Sequence, residues 1–280
     1  MKPFIPFTDK TMTIEAFRSV LAASAMAFAL SAASVEPALA EGLFSFLGKT
    51  EVHEYKGPKH AFPVPESLRR EMSRKDMDIH APILVRIFKQ ERKLEVWKRT
   101  RSGRFAHLKS YDICAFSGDL GPKKREGDRQ APEGFYSVSP GQMNPASAYY
   151  LSFDIGYPNA FDRAHGRTGG WLMVHGGCSS RGCYAMTDEQ IREIYALARD
   201  AFKGGQKAFQ VQAYPFRLSG WNLALHSGNP NIEFWRMLKE GYDIFESTRL
   251  EPKVSVIGKR YVFSAPTTAV ADVKGGTRAY

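Results

Sequence analysis

Cysteine is scarce in this chain, three in 280 residues, and the scarcity already constrains its chemistry. Three thiols cannot all pair within one chain, so at least one of Cys114, Cys178 and Cys183 is left over. A disulfide-stapled miniature is excluded, and the length is ample for a hydrophobic core. Long apolar runs are lacking too. Ser19–Ala33 is apolar over about 15 residues, short of the roughly 20 that a spanning helix needs. Glycines cluster at 166–177 but form neither GxxxxGK[ST] nor GxGxxG, so a nucleotide cradle has no support. Cys178, Cys183 and His175 lack the paired spacings of a structural zinc site, and no second cluster adds ligands, so no metal and no cofactor is expected. There is no internal repeat and no low-complexity tract. What the chain has in excess is positive charge, +10 at neutral pH.

Residues 1–40 read as an export signal. Lys2, Lys10 and Arg18 precede or open the apolar run, and Ala38-Leu39-Ala40 offers a small-x-small cleavage site. An uncleaved anchor is the competing reading. No cysteine lies near the cleavage site, which argues against a lipoprotein. The segment's three basic and three acidic residues cancel, so the mature chain keeps the +10. Export argues against nucleic acid as the counter-charge and favours an acidic polymer of the envelope. Residues 41–80 read as a lead-in or linker, in which SLRREMSRKDMD could form a short amphipathic helix with a thin apolar face.

From Pro82 the pattern is that of strands. ILVRIFK (83–89) and KLEVWK (93–98) suggest a hairpin, RFAHLKSYDICAF (104–116) a third strand, FYSV (135–138) and SAYYLSFDIG (147–156) two more, and AFQVQAY (208–214) a late one. Residues 118–134 are a Gly-, Pro- and charge-rich loop. NPNIEFWRMLKEGYDIFES (229–247) reads as a helix, VSVIGKRYVFS (254–264) as a final hairpin, and 266–280 as a frayed tail. The expectation is a β-dominated α+β fold in a single domain over 81–265.

The stretch Trp171–Asp188, WLMVHGGCSSRGCYAMTD, organises the rest. Residues 171–175 read as a buried strand ending at His175, followed by a glycine-punctuated turn from Gly176 to Gly182. Thr187 and Gln190 form a capping box for a helix whose stripe is Ile191, Ile194, Tyr195, Ala198 and Phe202, stopping at Gly204–Gly205. Cys183 thus falls ahead of a helix N-terminus and beside Arg181, surroundings expected to lower a thiol pKa. Gly182 would let backbone N–H groups near Cys183 face an oxyanion, and Ser180 would hydrogen-bond within the turn. A small Cys178–Cys183 disulfide is the structural alternative. Cys114 either pairs with Cys178 or is a core residue. His175 is the candidate base and His165 the competing one, with a substrate-lip or structural role; His53, His60, His80 and His107 sit in surface-like contexts and His226 has no assignment.

VHG followed by Ser180-x-Gly182-Cys183 resembles the signature of the YkuD-type L,D-transpeptidases, catalytic-cysteine enzymes of the bacterial cell wall, and HGGCSSRGCYAMTD is similar to their YafK-like branch. SGDLGPKKREGDRQAPEGFY (117–136), with Pro132-Glu133-Gly134 as the family's PxG turn, YPNAFDRAHGRTGG (157–170) and YPFR (214–217) support the same resemblance over roughly residues 80–265. It implies a flattened β-barrel or sandwich with a helix after the nucleophile and a C-terminal helix. It implies Cys183 as nucleophile and His175 as base, a peptidoglycan stem tetrapeptide as acyl donor, and an amine of another stem peptide or an envelope protein as acceptor. Water as acceptor would make the enzyme a hydrolase, and a dead site would leave a peptidoglycan-binding module. Tyr157, Asn159, Arg181, His165 and Arg217 are expected near the cleft. Two departures concern the acceptor side: only seven residues separate His175 from Cys183, where the wider family has a longer insert. The position two after the nucleophile, usually Asn or Arg, is Ala185.

Overall fold

The computed structural model describes residues 55–264, so the expected export signal over 1–40, the start of the expected lead-in and the tail expected over 266–280 lie outside the described residues. In chain order the elements are α1 (Glu66–Arg74), β1 (Ile83–Phe88), β2 (Lys93–Arg99), β3 (Phe105–Asp112), β4 (Ala115–Phe116), β5 (Gly134–Val138), β6 (Met143–Asn144) and β7 (Ser152–Asp154). They continue with α2 (Ala160–Ala164), β8 (Met173–His175), β9 (Tyr184–Ala185), α3 (Asp188–Lys203), β10 (Phe209–Tyr214), α4 (Gly220–Leu225), α5 (Ile232–Thr248), β11 (Lys253–Ile257) and β12 (Arg260–Ser264).

Two mixed five-stranded sheets carry the fold, ordered β3-β2-β1-β10-β5 and β4-β9-β8-β7-β6, with β11–β12 as a separate hairpin. This is the β-dominated α+β architecture expected from the sequence. In the first sheet β1 runs parallel to β10 and antiparallel to β2. All six residues of β1 and all six of β10 are buried. Alternation explains it: Ile83, Val85 and Ile87 pack with the second sheet's Phe153, Val174 and Tyr184 and with α3, while Phe88 and Tyr214 pack on the opposite side with Trp235 and Leu238 of α5. A strand covered on both faces is largely apolar, and the polar residues these two do bury, Arg86, Gln210 and Gln212, find partners: Arg86 pairs with Glu246, and Gln212 donates to Gln210.

Helix α3 begins on the capping box the sequence announces. The Gln190 N–H donates to Thr187 Oγ1 at 3.3 Å, and the Thr187 N–H to Gln190 Oε1 at 3.0 Å. Its stripe of Ile191, Ile194 and Ala198 is fully buried. Several expectations need correction. The third strand is not continuous over 104–116: β3 ends at Asp112 and β4 belongs to the other sheet, because Arg92 binds the carbonyls of Ile113 and Cys114 and turns the chain. Residues 147–156 supply only three strand residues. Helices α2 and α4, five and six residues long, are too short to show a period. The lead-in is not wholly a linker either, since α1 buries Leu68 and Met72 in the main core.

The loop 118–134 is anchored from beneath by a buried ion pair. Lys89 Nζ donates to the carbonyls of Asp119 (2.7 Å), Gly121 (3.0 Å) and Ala131 (3.0 Å) and to Glu133 Oε1 (2.9 Å). Glu133 also accepts from the Gly121 N–H and from Trp235 Nε1. Burial pushes the Lys89 ammonium down, opposed by the Glu133 charge. The glutamate of the Pro132-Glu133-Gly134 turn is therefore a structural hub.

Candidate active site

The second sheet has one face in the core; its other face is open only along the row of Asp154, Met173 and Cys183, and its register builds the site. Phe153, Val174 and Tyr184 are paired neighbours across β7, β8 and β9 and are wholly buried. Side chains alternate along a strand, so the residues on either side of that row face the other way. One flanking row is Ser152, His175 and Ala185. The other is Asp154, Met173 and, one residue before β9, Cys183, whose Sγ accepts the Met173 N–H at 3.4 Å. His175 and Cys183 thus share a sheet face one diagonal step apart. Sγ rests against Met173 N–H and the Trp171 carbonyl (3.9 Å), with no hydrogen bond to His175.

The turn between them is held at many points. The Gly176 N–H reaches the Tyr149 carbonyl (3.0 Å), and the Gly177 N–H reaches Asp188 Oδ1 (2.9 Å) at the start of α3. Cys178 is tied to Cys114 by a disulfide with a Cα–Cα distance of 5.2 Å, within the usual span. The Cys178–Cys183 loop is thereby ruled out, and Cys183 is the free thiol. Ser180 Oγ donates to the Cys183 carbonyl (2.7 Å) and accepts the Gly182 N–H (3.2 Å). Gly182 has φ +124°, with Leu172 and the 129–130 backbone beyond its α-carbon, a conformation costly for any other residue. Ser180 thus engages the Gly182 N–H, while the Cys183 N–H adjoins the thiol in the same turn.

The electrostatics differ from expectation. Cys183 does not sit on the helix N-terminus, because β9 intervenes before α3. Burial pushes its thiol up; the Met173 N–H lowers it, the Asp154 charge raises it and Lys123 lowers it, while Arg181, exposed, makes no such contribution. His175 is 4 % exposed, and burial holds it below the ordinary imidazole value despite a 2.5 Å hydrogen bond to the Gly176 carbonyl. A carbonyl only accepts, so Nδ1 carries the proton and Nε2 is left as the basic nitrogen. Near neutrality the pair rests as thiol and neutral imidazole.

Other expected site residues have structural work. Tyr157 is buried with its hydroxyl 3.4 Å from the carbonyls of Lys123 and Thr168. Asn159 caps α2 and donates to the Phe135 carbonyl and Tyr261 Oη. His165 binds the Lys259 carbonyl in the β11–β12 turn and stacks on Phe161. Arg217 pairs with Glu95 and covers Phe88, in the first sheet. None of these four makes a hydrogen bond to Cys183 or His175. A cavity of about 560 Å³ between β5, α2 and β11 takes in Asn159 but neither candidate catalytic residue.

Three residues near the thiol escape the sequence. Trp171, read as strand, is 81 % exposed with φ +56°, and only its carbonyl faces Cys183. Tyr149 is 53 % exposed and its ring lies 4.8 Å from that of His175. Asp154 stands in the row of Cys183. Strand register places Asp154, the loops leading into β7 and β8 place Tyr149 and Trp171, and no local motif marks any of them.

The model of the family YkuD, L,D-transpeptidase catalytic domain, matches residues 82–241. The chain is 48 % identical over 186 residues to the protein named "Putative L,D-transpeptidase YafK" in Escherichia coli K12, covering 66 % of this chain and 75 % of that one, and equally to its O157:H7 counterpart. Among solved structures it is similar to the helical cell shape determining protein Pgp2 from Campylobacter jejuni, at 21 % identity and TM-score 0.40 over 67 % of this chain and 80 % of that one. Bd1075 of Bdellovibrio bacteriovorus gives 22 % and 0.33 over 59 % and 60 %.

Proposed function

Since the chain belongs to the YkuD family of L,D-transpeptidase catalytic domains, in its YafK-like branch, we propose that it is a peptidoglycan acyltransferase with Cys183 as nucleophile. The observation that carries this reading is the open face of the second sheet. The one free cysteine is partly accessible there, on the same face as a neutral His175, with the other two cysteines joined to each other.

A thiol whose pKa is raised needs its proton taken as it attacks. His175 Nε2 takes that proton while Sγ adds to the diaminopimelate carbonyl of a stem tetrapeptide. The Cys183 N–H holds the oxyanion. The C–N bond to the terminal D-Ala breaks, D-Ala leaves with the proton from His175, and a thioester remains. An amine of another stem peptide or of an envelope protein then displaces the sulfur and forms a new amide. The setting is the cell envelope, reached by the export signal read in residues 1–40.

Resolution by water is the second reading, and Ala185 favours it. It is fully buried between Ala115 and His175, so the position two after the nucleophile offers no polar side chain to an acceptor amine. The test is mass spectrometry of peptidoglycan and its bound proteins after incubation with the enzyme. New diaminopimelate-to-diaminopimelate or protein–peptide amides support the transferase; loss of such links with accumulating tripeptides supports the hydrolase. Full activity in Cys183→Ala overturns both.

A further inference from the structure

Asp154 has a cost that the first half-reaction does not repay. It stands opposite Met173 in β7, and Met173 lies against Cys183, so the carboxylate and the thiol flank one residue on the open face. At a strand spacing of about 4.8 Å their backbones are about 10 Å apart. Both side chains are partly exposed, whereas the adjacent row is sealed. Asp154 Oδ1 accepts the Gly156 N–H at 2.8 Å, and among the described residues no donor reaches Oδ2. Its charge is near enough to push the Cys183 thiol up. A negative charge there opposes thiolate formation, and the cation that acts on the thiol, Lys123, is already committed to Asp128 and the Arg125 carbonyl.

Once the thiol is acylated the repulsion vanishes, because a thioester is neutral. The row centred on Met173 then has an electrophilic carbonyl on one side and a carboxylate on the other, which is the pair of groups that an incoming primary ammonium requires. We propose that Asp154 is the catalytic residue of the acceptor half-reaction: its carboxylate binds the acceptor ammonium and takes one proton from it. The free amine attacks the thioester carbon, the C–N bond forms and the C–S bond breaks. The second amine proton passes to the departing Cys183 sulfur by way of His175, and Asp154 returns its proton to solvent. Burial, which pushes the Asp154 carboxyl up, makes it a better base than an exposed aspartate.

This assignment rests on the acyl-enzyme reading above, and the test separates the two. Wild type and Asp154→Asn are mixed with tetrapeptide substrate, and the thioester on Cys183 and the aminolysis product are followed by rapid-quench mass spectrometry with a stem-peptide amine as acceptor. Asparagine keeps the Oδ1 that caps Gly156, so the fold is retained, as a thermal melt checks. The expected result is acylation within about threefold of wild type, aminolysis slowed by about 10²–10⁴-fold, and accumulation of the thioester. Hydroxylamine, which is unprotonated near neutral pH, should resolve both acyl-enzymes at equal rates, and Asp154→Glu should restore part of the aminolysis. Unchanged aminolysis in Asp154→Asn overturns the assignment, as does a parallel fall in acylation or unequal hydroxylamine rates. Absence of any thioester on the wild-type enzyme overturns the acyl-enzyme reading instead.

Discussion

The two five-stranded sheets answer different demands. The first is enclosed on both faces at its centre, where β1 and β10 are buried along their whole length. The second has strands of two or three residues, one face in the core and the other open along a single row. Its open face carries Cys183, His175 and Asp154. Chemistry sits where hydrophobic continuity stops, since a reacting group must be both accessible and held. The first sheet supplies the holding: Lys89 follows β1, and with Glu133 it pins the loop whose 129–130 backbone lies beyond Gly182.

That division predicts that activity and stability can be lost separately. The largest effect is expected for Cys183→Ala, which should reduce acyl transfer by a factor on the order of 10⁶, as loss of a catalytic nucleophile does, while urea denaturation stays close to wild type. A large stability loss in this variant would make the thiol a packing group. Glu133→Ala should show the reverse. It strands the buried Lys89 ammonium and should cost about 3–5 kcal/mol in urea denaturation, with loss of activity only in proportion to the folded fraction at a permissive temperature.

The disulfide braces the second sheet, since Cys114 immediately precedes β4, its N–H donating to the Ala185 carbonyl of β9 at 2.9 Å, and Cys178 lies in the turn before Cys183. The Cys114→Ala, Cys178→Ala double variant should lose about 2–4 kcal/mol and slow acylation as well. Thiol titration of the unfolded wild type should give one free thiol before reduction and three after. Three thiols before reduction would remove the tether from the account.

The smallest effect is on pH dependence. Burial holds His175 below its ordinary 6.5, so the folded protein binds this proton less readily than the unfolded one. The associated stability is in place above pH 6.5 and is lost as pH falls through the lower folded value. The acylation rate should follow the same direction, with its acid limb below pH 6.5, because the base must be neutral. An acid limb at or above 6.5 would assign the proton transfer to another group.

The legible parts of the sequence were those with local cause. β1, β10 and the capped helix α3 announce themselves by short runs rich in β-branched, aromatic and other apolar residues or by Thr187 and Gln190. Cys183, His175, Ser180 and Gly182 could be picked out because they share one short turn. The rest depends on long-range pairing. Nothing near Asp154 marks it as a neighbour of a thiol 29 residues later; only the β7–β8–β9 register does. Trp171 misled because three apolar residues follow it, yet its left-handed backbone turns it out of the strand. The lowered thiol pKa expected beside a helix N-terminus failed for a similar reason: β9, two residues long, is too short to read from the pattern, and it carries Cys183 away from α3 and into partial burial.

The most direct test of the central claim is intact-mass and peptide-level mass spectrometry of the mature enzyme, quenched in acid during turnover of a stem tetrapeptide. The account predicts an adduct of the tetrapeptide mass less D-Ala on the peptide containing Cys183, released by hydroxylamine and absent from Cys183→Ala. Turnover of the tetrapeptide with no adduct at Cys183, or with the adduct on another residue, would contradict it.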